Sequence, residues 1–217
     1  MPGSSVRDRS FRQGATSWLD DLIFKFRARM VLSMLPVPAP LVADLGSGYD
    51  ARFLRVARRA GRIEAGIVVD VSLDASRPDA SITLIEADLS ERLPIPDSSV
   101  AATTSLAVLE HLERPGVHVS EMHRILRPGG VAIITTPSVR SKRLLELLAF
   151  RLHVIDADEI RDHKHYYTKR ELRTLLVGAG FAEDAITYRS FALGMNQLVV
   201  AAKGDAVGED SEGREGS

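Results

Sequence analysis

An apolar run, an acid, a glycine-rich turn and the start of a helical pattern follow one another in the segment Val42-Ala43-Asp44-Leu45-Gly46-Ser47-Gly48-Tyr49-Asp50-Ala51. Glycines let the backbone approach a ligand closely, and their amides can bind its polar groups. The acid at the end of the predicted strand would repel a pyrophosphate, but it would attract a cationic group. The segment therefore predicts a ligand-binding turn between a buried strand and a helix.

Two further acids follow at the ends of the next two predicted strands. Asp70 comes nineteen residues after Ala51, and Asp88 comes eighteen residues after Asp70. A carboxylate in the first position can accept hydrogen bonds from both hydroxyls of a ribose, and one in the second can accept a bond from the exocyclic amine of a base. Each acid alone is more typical of a helix N-cap. Three acids together with the glycine turn favour a ligand that carries both a nucleoside and a positive charge.

Short apolar runs alternate with helical patterns along the chain. Runs rich in Val and Ile predict buried strands, and they lie at Leu41–Leu45, Ala65–Val69, Ile82–Ile85, Val100–Leu106, Val131–Thr136, Ala185–Phe191 and Gln197–Ala202. Helical spacing of apolar residues predicts helices at Ala51–Ala60, Val117–Leu126, Ser141–Leu152 and Thr168–Gly178. This alternation predicts an α/β fold with a doubly wound, mostly parallel sheet, which binds ligands beyond the carboxyl ends of its strands.

The length and composition predict a single globular domain. The chain has 217 residues, of which 45% are hydrophobic and 26% are charged, and this suits one domain with a sizeable core. We expect this domain to cover residues 17–203, between disordered ends at residues 1–16 and 204–217. The last segment holds five acids against one base and a single Val, so it has too little apolar surface to fold.

Charge and cysteine content argue against several classes of function. A formal net charge of −1 argues against a surface devoted to nucleic acid. The lack of cysteine excludes disulfides, thiolate catalysis and cysteine-ligated metals, and we expect no metal site. No apolar run approaches the ~18 residues of a membrane span, and the N-terminal stretch lacks the apolar core of a secretory signal. We therefore expect a cytoplasmic protein.

An amphipathic helix is predicted ahead of the first strand, at Ser17–Leu35. Its large apolar residues repeat every four positions, as Trp18, Leu22, Phe26, Met30 and Met34. We expect this face to pack on the sheet, as a cover or a lid. A helix with Trp, Phe and Arg can also lie on a membrane surface, although its two acids disfavour contact with anionic lipid.

Six segments between Leu41 and Phe181 follow, in order, the motifs of one known family. They are Asp44-Leu45-Gly46-Ser47-Gly48, then Asp70, then Asp88-Leu89 with Leu93-Pro94-Ile95-Pro96, then Thr104-Ser105-Leu106-Ala107-Val108-Leu109-Glu110-His111-Leu112, then Leu126-Arg127-Pro128-Gly129-Gly130, and finally Tyr167-Thr168 through Glu171-Leu172 to Ala179-Gly180-Phe181. On these segments the chain resembles the class I S-adenosylmethionine-dependent methyltransferases, of the small single-domain type common in bacterial biosynthesis. One such match is weak, whereas six in the right order are specific.

The resemblance implies a Rossmann-like fold with a seven-stranded, mostly parallel sheet and an antiparallel strand near the end. It implies methyl transfer from S-adenosylmethionine to a small-molecule or lipid- or glycan-linked acceptor. The implied cofactor contacts are Asp44, Gly46, Ser47, Gly48, Asp70, Val71, Asp88, Leu89 and Ser105. Many relatives have a further glycine where Tyr49-Asp50-Ala51 stands in this chain.

Two alternatives stay open at the level of sequence. Gly46, Gly48 and Ala51 with Asp70 also satisfy the fingerprint of a nicotinamide dinucleotide oxidoreductase, although that interpretation leaves two of the three acids unexplained. The chain could also be a fold relative that binds S-adenosylmethionine without catalysing a reaction.

Histidines predict the acceptor side of the site. His111 follows the fourth predicted strand, while His163 and His165 precede the helix before the sixth. His-x-His near an acid can hold a metal, but two ligands are too few to assign one. We expect His111 and His165 to face the transferred methyl, because imidazole can take a proton from a hydroxyl acceptor near neutral pH. Tyr166 and Tyr167 would supply an apolar wall with a polar tip there.

Overall fold

The computed structural model of the chain describes residues 18–37, 39–74, 76, 79–139, 165–192 and 194–205. The predicted helix Ser141–Leu152, the side chain of His163, the predicted disordered end at residues 1–16 and most of the one at 204–217 lie outside these residues. The expectations for those parts of the chain stay predictions.

Seven strands form a single sheet in the order β3-β2-β1-β4-β5-β7-β6. The strands are β1 Ala39–Leu45, β2 Ile63–Asp70, β3 Ile82–Glu86, β4 Val100–Leu106, β5 Leu126–Pro137, β6 Ile186–Phe191 and β7 Asn196–Ala202. Neighbouring strands from β3 to β5 run parallel, whereas β7 is antiparallel to both β5 and β6. The predicted seven-stranded, mostly parallel sheet is confirmed.

Helices in the described part of the chain cover both faces of this sheet. They are α1 Trp18–Leu32, α2 Arg52–Arg59, α3 Pro115–Ile125 and α4 Lys169–Gly178. One core cluster joins α3 and α4 to the sheet through residues such as Met122 and Leu176, and a second joins α1 and α2 through Val31 and Leu54. The doubly wound arrangement is therefore confirmed. No described helix is long and apolar enough to cross a bilayer.

The N-terminal helix packs on the sheet as predicted, but with a different face. Leu22 is 55% exposed and Phe26 is 47% exposed, so the predicted apolar stripe is wrong at these two positions. Ala28, Val31 and Leu35 are buried instead. The reason is geometric, because an α-helix has about 3.6 residues per turn and residues four apart drift by about 40° at each step. A row of every fourth residue therefore winds from the outer face to the inner one.

Helix α1 runs from the carboxyl edge of the sheet to the amino edge. Near its start, Asp21 accepts a hydrogen bond at 2.6 Å from Arg52, the first residue of α2. At its other end, the carbonyls of Leu32 and Leu35 accept bonds at 2.7 and 3.2 Å from Arg62, which directly precedes β2. The beginning of α1 consequently lies beside the glycine turn, at the edge where a ligand is expected.

Candidate functional site

Two glycines in left-handed backbone conformations build the turn after β1. The φ angle is +81° at Gly46 and +71° at Gly48, a region that other residues adopt only with strain. The Gly46 amide donates to the Val69 carbonyl at 2.7 Å, and a Cβ at Gly46 would lie only 2.5 Å from a methyl carbon of Val108. A Cβ at Gly48 would meet no described atom within 4 Å. Packing therefore requires the first glycine, while the second leaves its backbone open toward a ligand.

Asp44 is 1% exposed at the end of β1, and its neighbour across the sheet is Thr104 of β4. The Thr104 hydroxyl donates to Asp44 Oδ1, whereas Oδ2 has no hydrogen-bond partner among the described residues. Burial raises the pKa of Asp44 to about 7, although the Thr104 bond lowers it, and the negative charge of Asp70 adds to the rise. The unpartnered oxygen, two residues before the first turn glycine, fits a ligand that brings a positive charge.

Asp70 joins the end of β2 to the glycine turn. Its Oδ2 accepts a bond from the Gly48 amide at 2.9 Å, and its Oδ1 accepts one from the Val71 amide at 2.8 Å. The Ser47 hydroxyl lies in the same turn and donates to the Gly48 carbonyl at 3.0 Å. Each carboxylate oxygen keeps a lone pair for a further donor such as a ribose hydroxyl. The structure thus brings together, beside Gly46, four of the predicted cofactor residues: Ser47, Gly48, Asp70 and Val71.

Asp88 and Leu89 follow β3 on the same edge of the sheet. The Ala87 amide donates to the Asp70 carbonyl at 3.0 Å, and this bond places the start of the next loop beside the end of β2. Asp88 is exposed and its Oδ1 accepts from the Ser90 amide at 2.7 Å, while Leu89 is buried. The Asp88 carboxylate therefore closes its own turn, and its contact with a base stays a prediction.

Two charged residues of α3 hold the loop that follows Asp88, and sequence reasoning missed them. Glu121 accepts a bond from the Leu93 amide at 2.7 Å. Arg124 donates to the carbonyls of Leu93 and Ile95 at 3.1 and 2.8 Å, and it pairs with Glu121 at 2.6 Å. The spacing of three residues between an acid and a base on a predicted helix is the signal that could have revealed the pair.

Ser105 and His118 form a buried pair between the end of β4 and α3. Neither residue is exposed, and the Ser105 hydroxyl lies 2.9 Å from His118 Nε2. Burial lowers the pKa of His118 to about 4, so its imidazole is neutral at physiological pH. The contact of Ser105 with a cofactor stays a prediction, and its hydroxyl already has this partner within the protein.

The two histidines predicted for the acceptor side lie on neighbouring backbone segments. His111 ends the short 3-10 helix Leu109–His111 and is half-buried. The His165 amide donates to the carbonyl of Glu110 at 3.4 Å, and the His165 Nε2 lies 2.9 Å from a carboxylate oxygen of Glu171. Their catalytic role stays a prediction. Within the described residues, no three His, Asp or Glu side chains cluster as a metal site would require.

Tyr167 packs in the core and also lines a small pocket with Pro115 and Arg170, so its predicted place in the wall of the acceptor site stays a prediction. It is 5% exposed, and its hydroxyl donates to the Leu109 carbonyl at 3.2 Å. Burial raises the pKa of Tyr167 to about 12, and the negative charges of Glu110 and Glu171 add to the rise. Glu110 is itself fully buried and accepts a bond from the Thr136 hydroxyl at 3.1 Å. Sequence reasoning missed Glu110, although one acid in an otherwise apolar stretch is a signal of a buried polar contact.

An open, doubly wound sheet with a glycine turn after β1 and an acid at the end of β2 defines a Rossmann-like nucleotide-binding domain. The profile of a family described as "Methyltransferase domain" matches residues 16–185, and the chain belongs to this family. A "Probable S-adenosylmethionine-dependent methyltransferase" of Mycolicibacterium smegmatis is 37% identical over 99 residues, which are 45% of this chain and 37% of that protein. The "Ubiquinone/menaquinone biosynthesis C-methyltransferase UbiE" of Pseudomonas putida is 25% identical over 179 residues, covering 71% of this chain and 69% of that protein.

A solved structure shares the fold. An S-adenosylmethionine-dependent methyltransferase from Mesorhizobium loti matches with a TM-score of 0.61 at 22% identity, over 82% of this chain and 98% of that one. The matches confirm the predicted class I methyltransferase family, with S-adenosylmethionine as the cofactor of the domain, and they decide against the nicotinamide alternative. The chain spans about half the length, or less, of the mycobacterial relatives that it matches.

Proposed function

We propose that the protein transfers a methyl group from S-adenosylmethionine to a small-molecule or lipid- or glycan-linked acceptor. The observation that carries this proposal is the hydrogen bond between Asp70 and the Gly48 amide, because it joins the predicted ribose acid to the predicted methionine turn. The buried Asp44 oxygen, which has no hydrogen-bond partner in the described part of the chain, supports it as well, since the cofactor is a cation.

The work required of the chain is binding and alignment. S-adenosylmethionine, when bound, supplies a methyl group that its sulfonium has already activated. The glycine turn would hold the methionine portion, Asp70 the ribose, and the turn at Asp88-Leu89 the adenine. Glu121 and Arg124 would keep the adenine turn in place, because they bond the backbone of the loop that follows it. Such fixed alignment, with water excluded, accounts for much of the acceleration in transfers of this kind.

The acceptor would bind beside His111 and His165. The contact with Glu171 at 2.9 Å would orient the His165 imidazole, and histidine is a common general base for hydroxyl acceptors. The names of two relatives support a small-molecule or lipid-linked acceptor, because one refers to ubiquinone and menaquinone biosynthesis and the other to dimethylglycine. One is the C-methyltransferase of Pseudomonas putida, and the other is a "Dimethylglycine N-methyltransferase" of Parasynechococcus marenigrum, 28% identical over 153 residues. One name specifies methylation of carbon and the other methylation of nitrogen, so the proposal covers the class of acceptor and not the atom that is methylated.

Calorimetry with S-adenosylhomocysteine tests the proposed function. We expect the full chain to bind this product and not NAD. Asp70→Ala removes an ionised acceptor of ribose hydrogen bonds, so it should weaken binding by about 30- to 160-fold, or about 2–3 kcal/mol. Asp184→Ala removes an exposed acid of the 3-10 helix Glu183–Ala185 and is the matched control, which should bind like the wild type. Saturable binding of NAD that Asp70→Ala abolishes, without any heat from S-adenosylhomocysteine, would overturn the proposal.

A further inference from the structure

The outer face of α1 combines large apolar side chains with basic ones. Leu22 is 55% exposed and Phe26 is 47% exposed, and Lys25 and Arg29 are exposed beside them. Their spacing of i, i+3, i+4 and i+7 places all four residues on one side of the helix. We call this set the outer stripe. Leu22 and Phe26 are adjacent on the helix surface, so they form a small apolar patch flanked by bases, a combination found on helices that bind at an interface.

The first part of the outer stripe, with Leu22 and Phe26, lies near the carboxyl edge of the sheet. The Phe26 ring lies 5.8 Å from the ring of Phe191, between centroids. Phe191 ends β6 opposite Asn196, and Asn196 pairs with Pro137 at the end of β5. The beginning of α1 is tied to the same edge by the bond between Asp21 and Arg52. The part of the stripe with Leu22 and Phe26 therefore lies at the edge of the sheet at which the candidate site opens.

We propose that the outer stripe binds the surface of an anionic lipid bilayer. Side chains such as Leu22 and Phe26 can enter the boundary between headgroups and acyl chains, while flanking lysine and arginine are attracted to anionic lipid. Between Trp18 and Leu32 the sequence has three bases against two acids, a net charge of 3 − 2 = +1. One of the acids, Asp21, is also paired with Arg52, and this pairing reduces its repulsion from the lipid.

Attachment of this kind is reversible, because two apolar side chains and a small positive charge bury little area. Its consequence for function rests on the proposed methyl transfer. A bilayer that contacts α1 faces the carboxyl edge of the sheet, so an acceptor embedded in the bilayer would reach the site without crossing bulk water. The binding surface itself does not depend on that consequence and can be tested alone.

Co-sedimentation of the full chain with lipid vesicles tests the proposal. We expect binding to phosphatidylcholine vesicles that contain about 30% phosphatidylglycerol, weaker binding to phosphatidylcholine alone, and a loss of the difference near ~0.5 M salt. Leu22→Ser with Phe26→Ser should lower the vesicle affinity about tenfold, since the apolar contact is lost. Lys25→Gln with Arg29→Gln should remove the preference for phosphatidylglycerol. The matched control is Val177→Ser, at an apolar residue of α4 that is 43% exposed, and it should bind like the wild type.

Three results would overturn the proposal. The first is that the protein does not sediment with anionic vesicles, and the second is that none of the stripe substitutions changes its sedimentation. The third is a dimer in light scattering that dissociates in the Leu22→Ser, Phe26→Ser variant, because a second copy of the chain would then occupy the stripe. If the double variant unfolds, Leu22→Ser alone gives the same test at the more exposed position. Calorimetry with S-adenosylhomocysteine separates this proposal from the proposed function, since the stripe variants should keep their affinity for that ligand. If the wild type binds S-adenosylhomocysteine but not the vesicles, the result counts against the bilayer proposal alone.

Discussion

At the scale of single residues, the ionised form of Asp44 favours a cationic ligand but lowers the stability of the ligand-free protein. Its pKa lies at about 7 instead of 3.8 because burial disfavours the charged form. Unfolding restores the ordinary pKa, so the unfolded chain loses its proton at lower pH than the folded one. The contribution of Asp44 to the free energy of unfolding is therefore fully present below about pH 4 and is lost as the pH rises toward 7. A cationic ligand counteracts this loss, because it favours the ionised carboxylate.

Asp44→Asn should abolish this contribution to the pH dependence of stability in the ligand-free protein. The amide oxygen can still accept the Thr104 bond, but the side chain carries no charge to bury. The free energy of unfolding of the variant, relative to the wild type, should therefore rise by about 2–3 kcal/mol between about pH 5 and pH 8, while affinity for the cation S-adenosylmethionine falls. Urea unfolding at both pH values measures the first effect and calorimetry the second. A difference between the two proteins that stays constant with pH would show that Asp44 does not titrate in this range.

At the scale of elements, strand β4 places two adjacent threonines on opposite faces of the sheet. Both are fully buried. The Thr104 hydroxyl bonds Asp44, whereas the Thr103 hydroxyl has no hydrogen-bond partner among the described residues. A substitution by valine keeps the shape of either side chain and removes only the hydroxyl. The two positions therefore form a matched pair for the effect of the bond to Asp44.

Thr104→Val should lower the free energy of unfolding by about 1.5–3 kcal/mol at pH 8, because an ionised acceptor loses its donor. The loss should be smaller at about pH 5, where Asp44 is protonated in the folded protein. Thr103→Val should be neutral or stabilising, since it removes a buried hydroxyl without a partner. Urea unfolding of both variants measures the difference, and Thr104→Ser should restore most of the stability. Equal losses in the two valine variants would contradict a specific role of the bond.

Local patterns predicted most elements but not the contacts between distant ones. Strand β4 appears at its predicted bounds, Val100–Leu106, because a short run without charged residues, made of small and β-branched side chains, is typical of a buried strand. Strand β5 begins at Leu126, five residues before its predicted start, because Leu126 pairs with Val100 beyond a register shift. The bond between Thr104 and Asp44 joins residues 60 apart, and no local pattern encodes such a distance. The inner face of α1 was missed for the geometric reason given above.

At the scale of the whole molecule, the strand order explains why the predicted acids meet. The sequence β3-β2-β1-β4 places the carboxyl ends of β1, β2 and β3 side by side along one edge. The chain reverses its direction of travel across the sheet between β1 and β4, and open α/β sheets bind ligands at such a switch point. Asp44, Asp70 and Asp88 were predictable as strand ends from sequence, but their convergence depends on this order and register. The central claim is therefore that this edge holds S-adenosylmethionine.

Native mass spectrometry of the purified full chain tests that claim most directly. The protein should carry S-adenosylmethionine or S-adenosylhomocysteine from its expression host, or should take up S-adenosylhomocysteine when this is added, with one molecule per chain. Asp70→Ala should lose the adduct under the same conditions, while Asp184→Ala keeps it. A protein that carries a nicotinamide dinucleotide, or that takes up no S-adenosylhomocysteine even when it is added in excess, would contradict the claim.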